Sequence, residues 1–221
     1  MGNYKINKYP DGSSYVDISV FNKVITYRIN SYEDLWHLKQ ITDAYQKSGL
    51  IPCITIPNLF DGQADRRFAD NQSNGLKLVC EFLNTMYATF KIFHPHNPEV
   101  VEALVNDVEI IDNTNFITGV LFDLGKTYPD RLQDEYCKTN QGFYFDKRVA
   151  DNTILMSSDA GGFKPLMKLC DKISWSGETF SASKSRTFEE GASKLTQKLN
   201  RKDFEGKDIL IVDDISVYGG T

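Results

Sequence analysis

The sequence predicts an α/β protein with mostly parallel sheets, built in two halves. Three observations predict it. In the first half, short apolar runs alternate with stretches of helical periodicity, the pattern of βαβ units. Further on, Ile154, Leu155 and Met156 open into Ser157-Ser158-Asp159-Ala160-Gly161-Gly162, and helical spacing resumes at Leu166, Met167 and Leu169. The last stretch repeats the plan: the apolar run 209–212, short and β-branched enough for a buried parallel strand, is followed by Asp213, Asp214 and the small-residue turn Ser216-Val217-Tyr218-Gly219-Gly220-Thr221. Ligands of open α/β sheets lie beyond the carboxyl ends of strands. Glycines there let backbone N–H groups approach an anion, while carboxylates suit ribose hydroxyls or a divalent metal. An ordinary tight turn after an edge strand is the alternative for this last stretch.

The totals narrow the class. The chain has 221 residues, enough for one large domain or two small ones, with 41% hydrophobic and 25% charged residues, as in a soluble globular protein. A net charge of -5, without a basic block longer than two residues, argues against a nucleic-acid surface. No run is long and apolar enough to span a bilayer, and the N-terminus lacks the apolar core of a signal peptide. Gly2 has no Ser or Thr at position 6, so the acylation pattern is incomplete. A cytoplasmic protein without a membrane or nucleic-acid partner is expected. Cys53, Cys80, Cys137 and Cys170 have no CxxC spacing and are expected to be buried free thiols.

In chain order, residues 1–30 read as a hairpin or meander around the turn Pro10-Asp11-Gly12, with a further strand over 23–29. Ser31 is a helix N-cap, with Leu35, Leu38, Ile41 and Tyr45 on one face and Gly49 at the end. His37 in this helix is structural or exposed. Strand 50–56 opens into a loop with Asp61, Gly62, Gln63, Asp65, Arg66 and Arg67. That cluster is either a solvated surface or a polyphosphate-orienting group, which arginine's planar fork suits. Helix 72–87 has the stripe Leu76, Val79, Cys80, Leu83, Tyr87, and strand 88–93 runs into His94-Pro95-His96-Asn97-Pro98. Two histidines at i, i+2 suit a metal or a proline-stiffened turn. A short helix 98–104 begins on proline, and strands are expected at 108–111 and 116–121. Residues 125–147 are polar and tyrosine-rich and mark the boundary between halves. After the helix that follows Asp159, a short strand is expected at 173–175. Residues 176–186 read as a polar, flexible loop, and 187–203 as a charged connector.

Four of these segments together resemble the ribose-phosphate pyrophosphokinase (PRPP synthetase) family, in a divergent, possibly phage-type form. They are Lys8-Tyr9-Pro10-Asp11-Gly12-Ser13, the loop from Pro57 to Phe68, His94-Pro95-His96, and the pair formed by Ser157 to Gly162 with Asp213 to Thr221. The resemblance implies two phosphoribosyltransferase-like domains, 1–147 on the nucleotide side and 148–221 on the ribose-phosphate side, the second incomplete. It implies Mg2+ and ATP, the latter as substrate, ribose 5-phosphate as acceptor, and a homo-oligomer whose adenine site crosses a subunit interface. Residue by residue, Tyr9, Asp11, Asp65 and Arg66 fall on the nucleotide side, and His96 falls beside the metal–triphosphate. Asp159 falls on the metal and sugar, and Lys184 and Arg186 on a mobile catalytic loop. Asp213 and Asp214 fall on the ribose hydroxyls, and Ser216, Gly219, Gly220 and Thr221 on the 5-phosphate. Three positions depart from the family pattern: Ser13 stands for a glutamate, Gln63 for the arginine that contacts ATP, and His94 for an aspartate. A helix and further sheet would follow Thr221 in the family, so the sequence reads as truncated.

The expected reaction is diphosphate transfer from ATP to the C1 hydroxyl of ribose 5-phosphate. The departures keep two other readings open. One is the same transfer to ADP-ribose in an NAD salvage route, in host cytoplasm if the source is viral. The other is a non-catalytic scaffold or regulatory subunit.

Overall fold

The computed structural model describes residues 4–125, 138–139, 142–143, 147–189, 192–198 and 204–213. Two compact units divide between Asp112 and Asn113, earlier in the chain than the composition boundary at 147. The helix Thr114–Gly125 accounts for the difference, because Ile117 and Leu121 share a core with Val149, Leu155 and Leu166.

The first unit opens on β1 (Tyr4–Lys8) and β2 (Ser14–Ile18), an antiparallel hairpin. Its turn needs Gly12, whose φ of +87° is a conformation glycine adopts without penalty. There follow β3 (Val24–Thr26), α1 (Tyr32–Lys47), β4 (Cys53–Ile56), α2 (Gly75–Asn84), β5 (Thr89–Phe93), α3 (Pro98–Leu104) and β6 (Val108–Ile111). Strands β3, β4, β5 and β6 form one parallel sheet in chain order. Helix α1 starts where its cap predicts: Ser31 Oγ accepts from the Asp34 N–H at 3.2 Å, and Asp34 Oδ2 accepts back from the Asn30 N–H at 2.9 Å. Its apolar stripe Leu35, Leu38, Ile41 and Tyr45 is buried. His37 is also buried and lies 3.0 Å from Ser14 Oγ, so it ties α1 to the hairpin.

Alternation along the strands sets the core. Ile54, Ile56, Phe90 and Ile92 are buried, and Cys53, Thr55, Lys91 and Phe93 between them are half-buried. Lys91 and Glu109, directly opposite across β5 and β6, pair at 2.6 Å on the second face.

The second unit comprises α4 (Thr114–Gly125), β7 (Lys138–Thr139), β8 (Gly142–Phe143), α5 (Lys147–Asn152), β9 (Thr153–Ser157), α6 (Ala160–Ile173), β10 (Glu178–Ser181), β11 (Ser183–Glu189), β12 (Ala192–Lys198) and β13 (Asp208–Val212). Its sheet is β10-β9-β13, all parallel. All five residues of β9 are buried, as befits a central parallel strand. Helix α6 covers one face of this sheet with Leu166, Leu169, Cys170 and Ile173. Each such large side chain contributes about 1.5–3 kcal/mol when fully buried. Strands β11 and β12 make a separate antiparallel hairpin.

Several local expectations change. Cys53, expected to be buried, is half-buried, and α2 ends at Asn84, which leaves Tyr87 of the expected stripe outside the helix and exposed. Residues 116–121 are helix, since Ile117, Leu121 and Gly125 recur every four residues on the buried face of α4. Residues 173–175 are no strand: Ile173 ends α6, and Ser174 caps it in the left-handed conformation at φ 52°. The stretch expected as a loop over 176–186 holds β10 and the start of β11, and the connector over 187–203 contains β12. Ser and Thr alternating with larger residues are compatible with a pleated ribbon as well as with a loop. Finally, β13 was expected to be buried, but it is one margin of the described sheet, and Ile209 and Ile211 are exposed while Val212 is buried. Among the described residues, no helix is long and apolar enough to cross a membrane.

Candidate functional site

Parallel strands bring their carboxyl ends to one edge of a sheet, so each unit gathers the residues that follow its strands. In the first unit, β4 leads into residues 57–74 and β5 into residues 94–97. Here the structure brings together two segments that lie far apart in the sequence. Asp65 is the centre of the contact, with its side chain 9% exposed. Its Oδ2 accepts from Asn97 Nδ2 at 3.1 Å, its Oδ1 accepts from Arg66 Nε at 3.3 Å, and its backbone carbonyl accepts from Asn74 Nδ2 at 3.0 Å. Burial works against the ionised carboxylate, but the Asn97 amide, the Arg66 guanidinium and His96 outweigh it, so the group titrates below its ordinary value.

Asn74 and Asn97 each have a second bond. Asn74 Oδ1 accepts from the Lys77 N–H at 2.8 Å and caps α2; Asn97 Oδ1 accepts from the Val100 N–H at 3.3 Å and caps α3. An asparagine can do this because its amide has both an acceptor and donors. The loop also sits hard against α2. A Cβ at Gly75 would come within 3.0 Å of both the Ala64 Cβ and Asp61 Oδ2. Asp61 has φ 57° and accepts from the Tyr32 hydroxyl at 2.8 Å. His96 and Gln63 are exposed; His94 is half-buried, with φ 40° and its N–H bonded to the Ile111 carbonyl at 2.7 Å.

Tyr9 and Asp11 lie at the hairpin tip. Tyr9 is 54% exposed and packs on Tyr15 at a centroid distance of 4.9 Å. Asp11 Oδ1 accepts from the Ser13 hydroxyl at 2.7 Å and the Ser13 N–H at 2.9 Å, bonds that lower its titration. Ser13 thus stabilises the turn locally.

In the second unit, the register aligns Ser181, Ser157 and Val212 across β10, β9 and β13. The chain leaves β9 through α6 to β10 on one side, and later returns to β13 on the other. The strand order therefore reverses between β9 and β13. Such switch points are where open α/β sheets bind ligands. Asp159 follows β9 and caps α6, its Oδ1 accepting from the Gly162 N–H at 3.0 Å. Asp213 follows β13 and is exposed. The Ser157 and Ser181 hydroxyls lie 3.0 Å apart, both within reach of the Asp159 carbonyl, at 2.9 and 3.2 Å. They fix the turn on which Asp159 stands. Lys184 and Arg186 are in β11, opposite Gln197 and Leu195 of β12. Asp214, Ser216, Gly219, Gly220 and Thr221 lie outside the described residues.

Among the described residues, no group of three or more His, Cys, Asp or Glu side chains converges in a way that could hold a metal. Magnesium does not demand one, since it is commonly held by one or two carboxylates together with substrate phosphates and water. Asp159 fits that use: one of its oxygens serves as the helix cap, and a carboxylate has two. Histidine nitrogen is a poorer donor to so hard a cation. The sequence reading missed Asn74 and Asn97, although Asn97 directly before Pro98 is a legible cap signal.

Two α/β units with mostly parallel sheets are the architecture of tandem phosphoribosyltransferase-like domains. No family model matches the chain. The chain is 22% identical to a ribose-phosphate pyrophosphokinase of Saccharolobus solfataricus over 221 residues, covering 96% of this chain and 66% of that protein. Ribose-phosphate pyrophosphokinases of Pyrococcus abyssi and Archaeoglobus fulgidus (number 2 in the latter) are 23% and 22% identical, over 99% and 100% of this chain and 68% of each relative. These matches are a distant but consistent homology to that family. The chain spans about two thirds of the length of the curated relatives it matches. A solved phosphoribosylpyrophosphate synthetase from Mycobacterium smegmatis superposes with a TM-score of 0.65 at 15% identity, covering 98% of this chain and 64% of that one. That likeness speaks for the fold.

Proposed function

We propose that this chain carries the machinery for Mg-dependent transfer of a diphosphate from ATP to the C1 hydroxyl of ribose 5-phosphate, giving phosphoribosyl pyrophosphate and AMP. The carrying observation is the switch point between β9 and β13, flanked by Asp159 and Asp213. The distant homology supports the same reading.

In the reaction, the C1 oxygen attacks the β-phosphorus of ATP and the bond from that phosphorus to its bridge with the α-phosphate breaks. AMP leaves with the bridging oxygen, and the hydroxyl proton passes to solvent or a nearby base. In-line transfer needs no enzyme nucleophile; alignment and charge stabilisation suffice. Asp159 would hold Mg2+ and the sugar, and Asp213 and Asp214 the ribose hydroxyls. Ser216, Gly219, Gly220 and Thr221 would hold the 5-phosphate. Lys184 and Arg186 would neutralise charge on the transferring group. Tyr9, Asp11, Asp65 and Arg66 would hold the nucleotide, with His96 on the metal–triphosphate side. Bound magnesium would supply charge neutralisation on the phosphates. The adenine side would be completed by a second copy in a homo-oligomer.

Ser13, Gln63 and His94, which depart from the pattern of the resemblance, keep a second reading open: the same transfer to ADP-ribose. The test is AMP formation from ATP and magnesium with ribose 5-phosphate or ADP-ribose. AMP with ribose 5-phosphate is the expected result, and AMP with ADP-ribose alone moves the acceptor. No AMP with either, from folded protein, overturns both readings and favours a scaffold.

A further inference from the structure

We propose that Asn97 is a positioning residue: its amide caps α3 on one side and, on the other, holds the Asp65 carboxylate, locking the Asp65–Arg66 loop to the histidine loop. The inference rests on the reading that Asp65 and Arg66 face the nucleotide.

The two bonds of Asn97 fix its amide orientation. Oδ1 must be the acceptor because its partner is the Val100 N–H, so Nδ2 is left to donate to Asp65. The carboxylate in turn accepts from Arg66 Nε. A chain of contacts therefore runs from the first turn of α3 through Asp65 to the guanidinium. Asn74 grips the same residue by its carbonyl from the first turn of α2. Asp65 is thus pinned at side chain and backbone by two helix caps, whereas Arg66, 67% exposed in its side chain, has its charge at the rim. An exposed arginine held at its base is pre-organised for a phosphate, because less motion is lost on binding. Without Asn97 the carboxylate would keep Arg66 but lose its anchor to the strand end that bears His96.

Asn97→Ser separates the two roles, since serine retains the cap acceptor but cannot reach Asp65 as the amide does. Titration of the full chain with MgATP is expected to show about ten-fold weaker binding for Asn97→Ser, with the melting temperature lowered only slightly. Asn97→Ser combined with Asp65→Asn should bind no more weakly than Asp65→Asn alone. Wild-type affinity in Asn97→Ser, or additive losses in the pair, overturns the positioning role. If wild-type protein binds no MgATP, the nucleotide reading fails. Hydrogen exchange then decides the positioning role by itself: Asn97→Ser must speed exchange in residues 61–66 and spare 98–104. Unchanged exchange in 61–66 rejects the inference.

Discussion

At the carboxyl edge of the first unit two of the three helix caps are amides, Asn74 and Asn97, beside the hydroxyl of Ser31; at that of the second the cap of α6 is a carboxylate, Asp159. An amide cap has a donor left over, and both asparagines spend it on Asp65. A carboxylate cap has only acceptor capacity left, suited to a cation or to hydroxyls. The sheets differ in the same sense. Strand order in the first follows the chain, whereas the second reverses beside β9. One edge fixes a loop; the other carries the reversal of strand order. Under the proposed function, the first edge would hold the nucleotide and the second would host the acceptor.

The largest expected effect tests the second edge. Lys184→Ala with Arg186→Ala should lower AMP formation by about 10³ or more, with little change in melting temperature, if those cations meet the transferring group. Full activity in that variant would remove them from the chemistry. Next, the buried thiols report on each unit separately. Burial pushes Cys80 in α2 and Cys170 in α6 up to about 11, so both are protonated and shielded at neutral pH. In timed alkylation read by mass spectrometry, half-buried Cys53 should react well before either. Unequal rates for Cys80 and Cys170 would rank the openings of the two units.

Smaller effects separate cap from charge. Asp159→Ala should cost about 1 kcal/mol in urea unfolding, whereas Asp159→Asn keeps the cap and most of that stability. If the carboxylate also serves the reaction, AMP formation falls in both; activity surviving in the asparagine variant would leave Asp159 as a cap only. The smallest shift concerns Asp65. Its folded titration lies below its unfolded one, so its stabilisation is present above about pH 4 and is lost as pH falls through the folded value. Asp65→Asn should flatten the acid limb of an unfolding-versus-pH curve slightly, and an identical limb would contradict the shift.

Much of this was legible in the residues. Ser31, Pro98 and the Ser157-to-Gly162 turn announced their helices because capping is local chemistry. The strands 53–56, 89–93 and 153–157 were legible because a parallel strand is short, apolar and followed by a polar break. Residues 116–121 were not, since a six-residue apolar run suits strand and helix alike until its neighbours choose. Polar β11 and β12 hid for the opposite reason, as their pairing rests on backbone bonds more than on an apolar pattern. The bond from Asn97 to Asp65 spans 32 positions, and no spacing rule encodes such a contact.

The order of strands also sets a timetable. In the first unit every strand of the parallel sheet pairs with the next one synthesised, so the sheet can grow as the chain emerges from the ribosome. In the second, β9 gains β10 promptly but waits for β13, more than fifty residues later, to cover its other side. Until then one flank of a strand that ends up entirely buried stays open to wrong partners. Nascent chains arrested after β12 should therefore shield Cys80 from alkylation while leaving Cys170 reactive, and equal shielding would mean that the second sheet matures without its last strand.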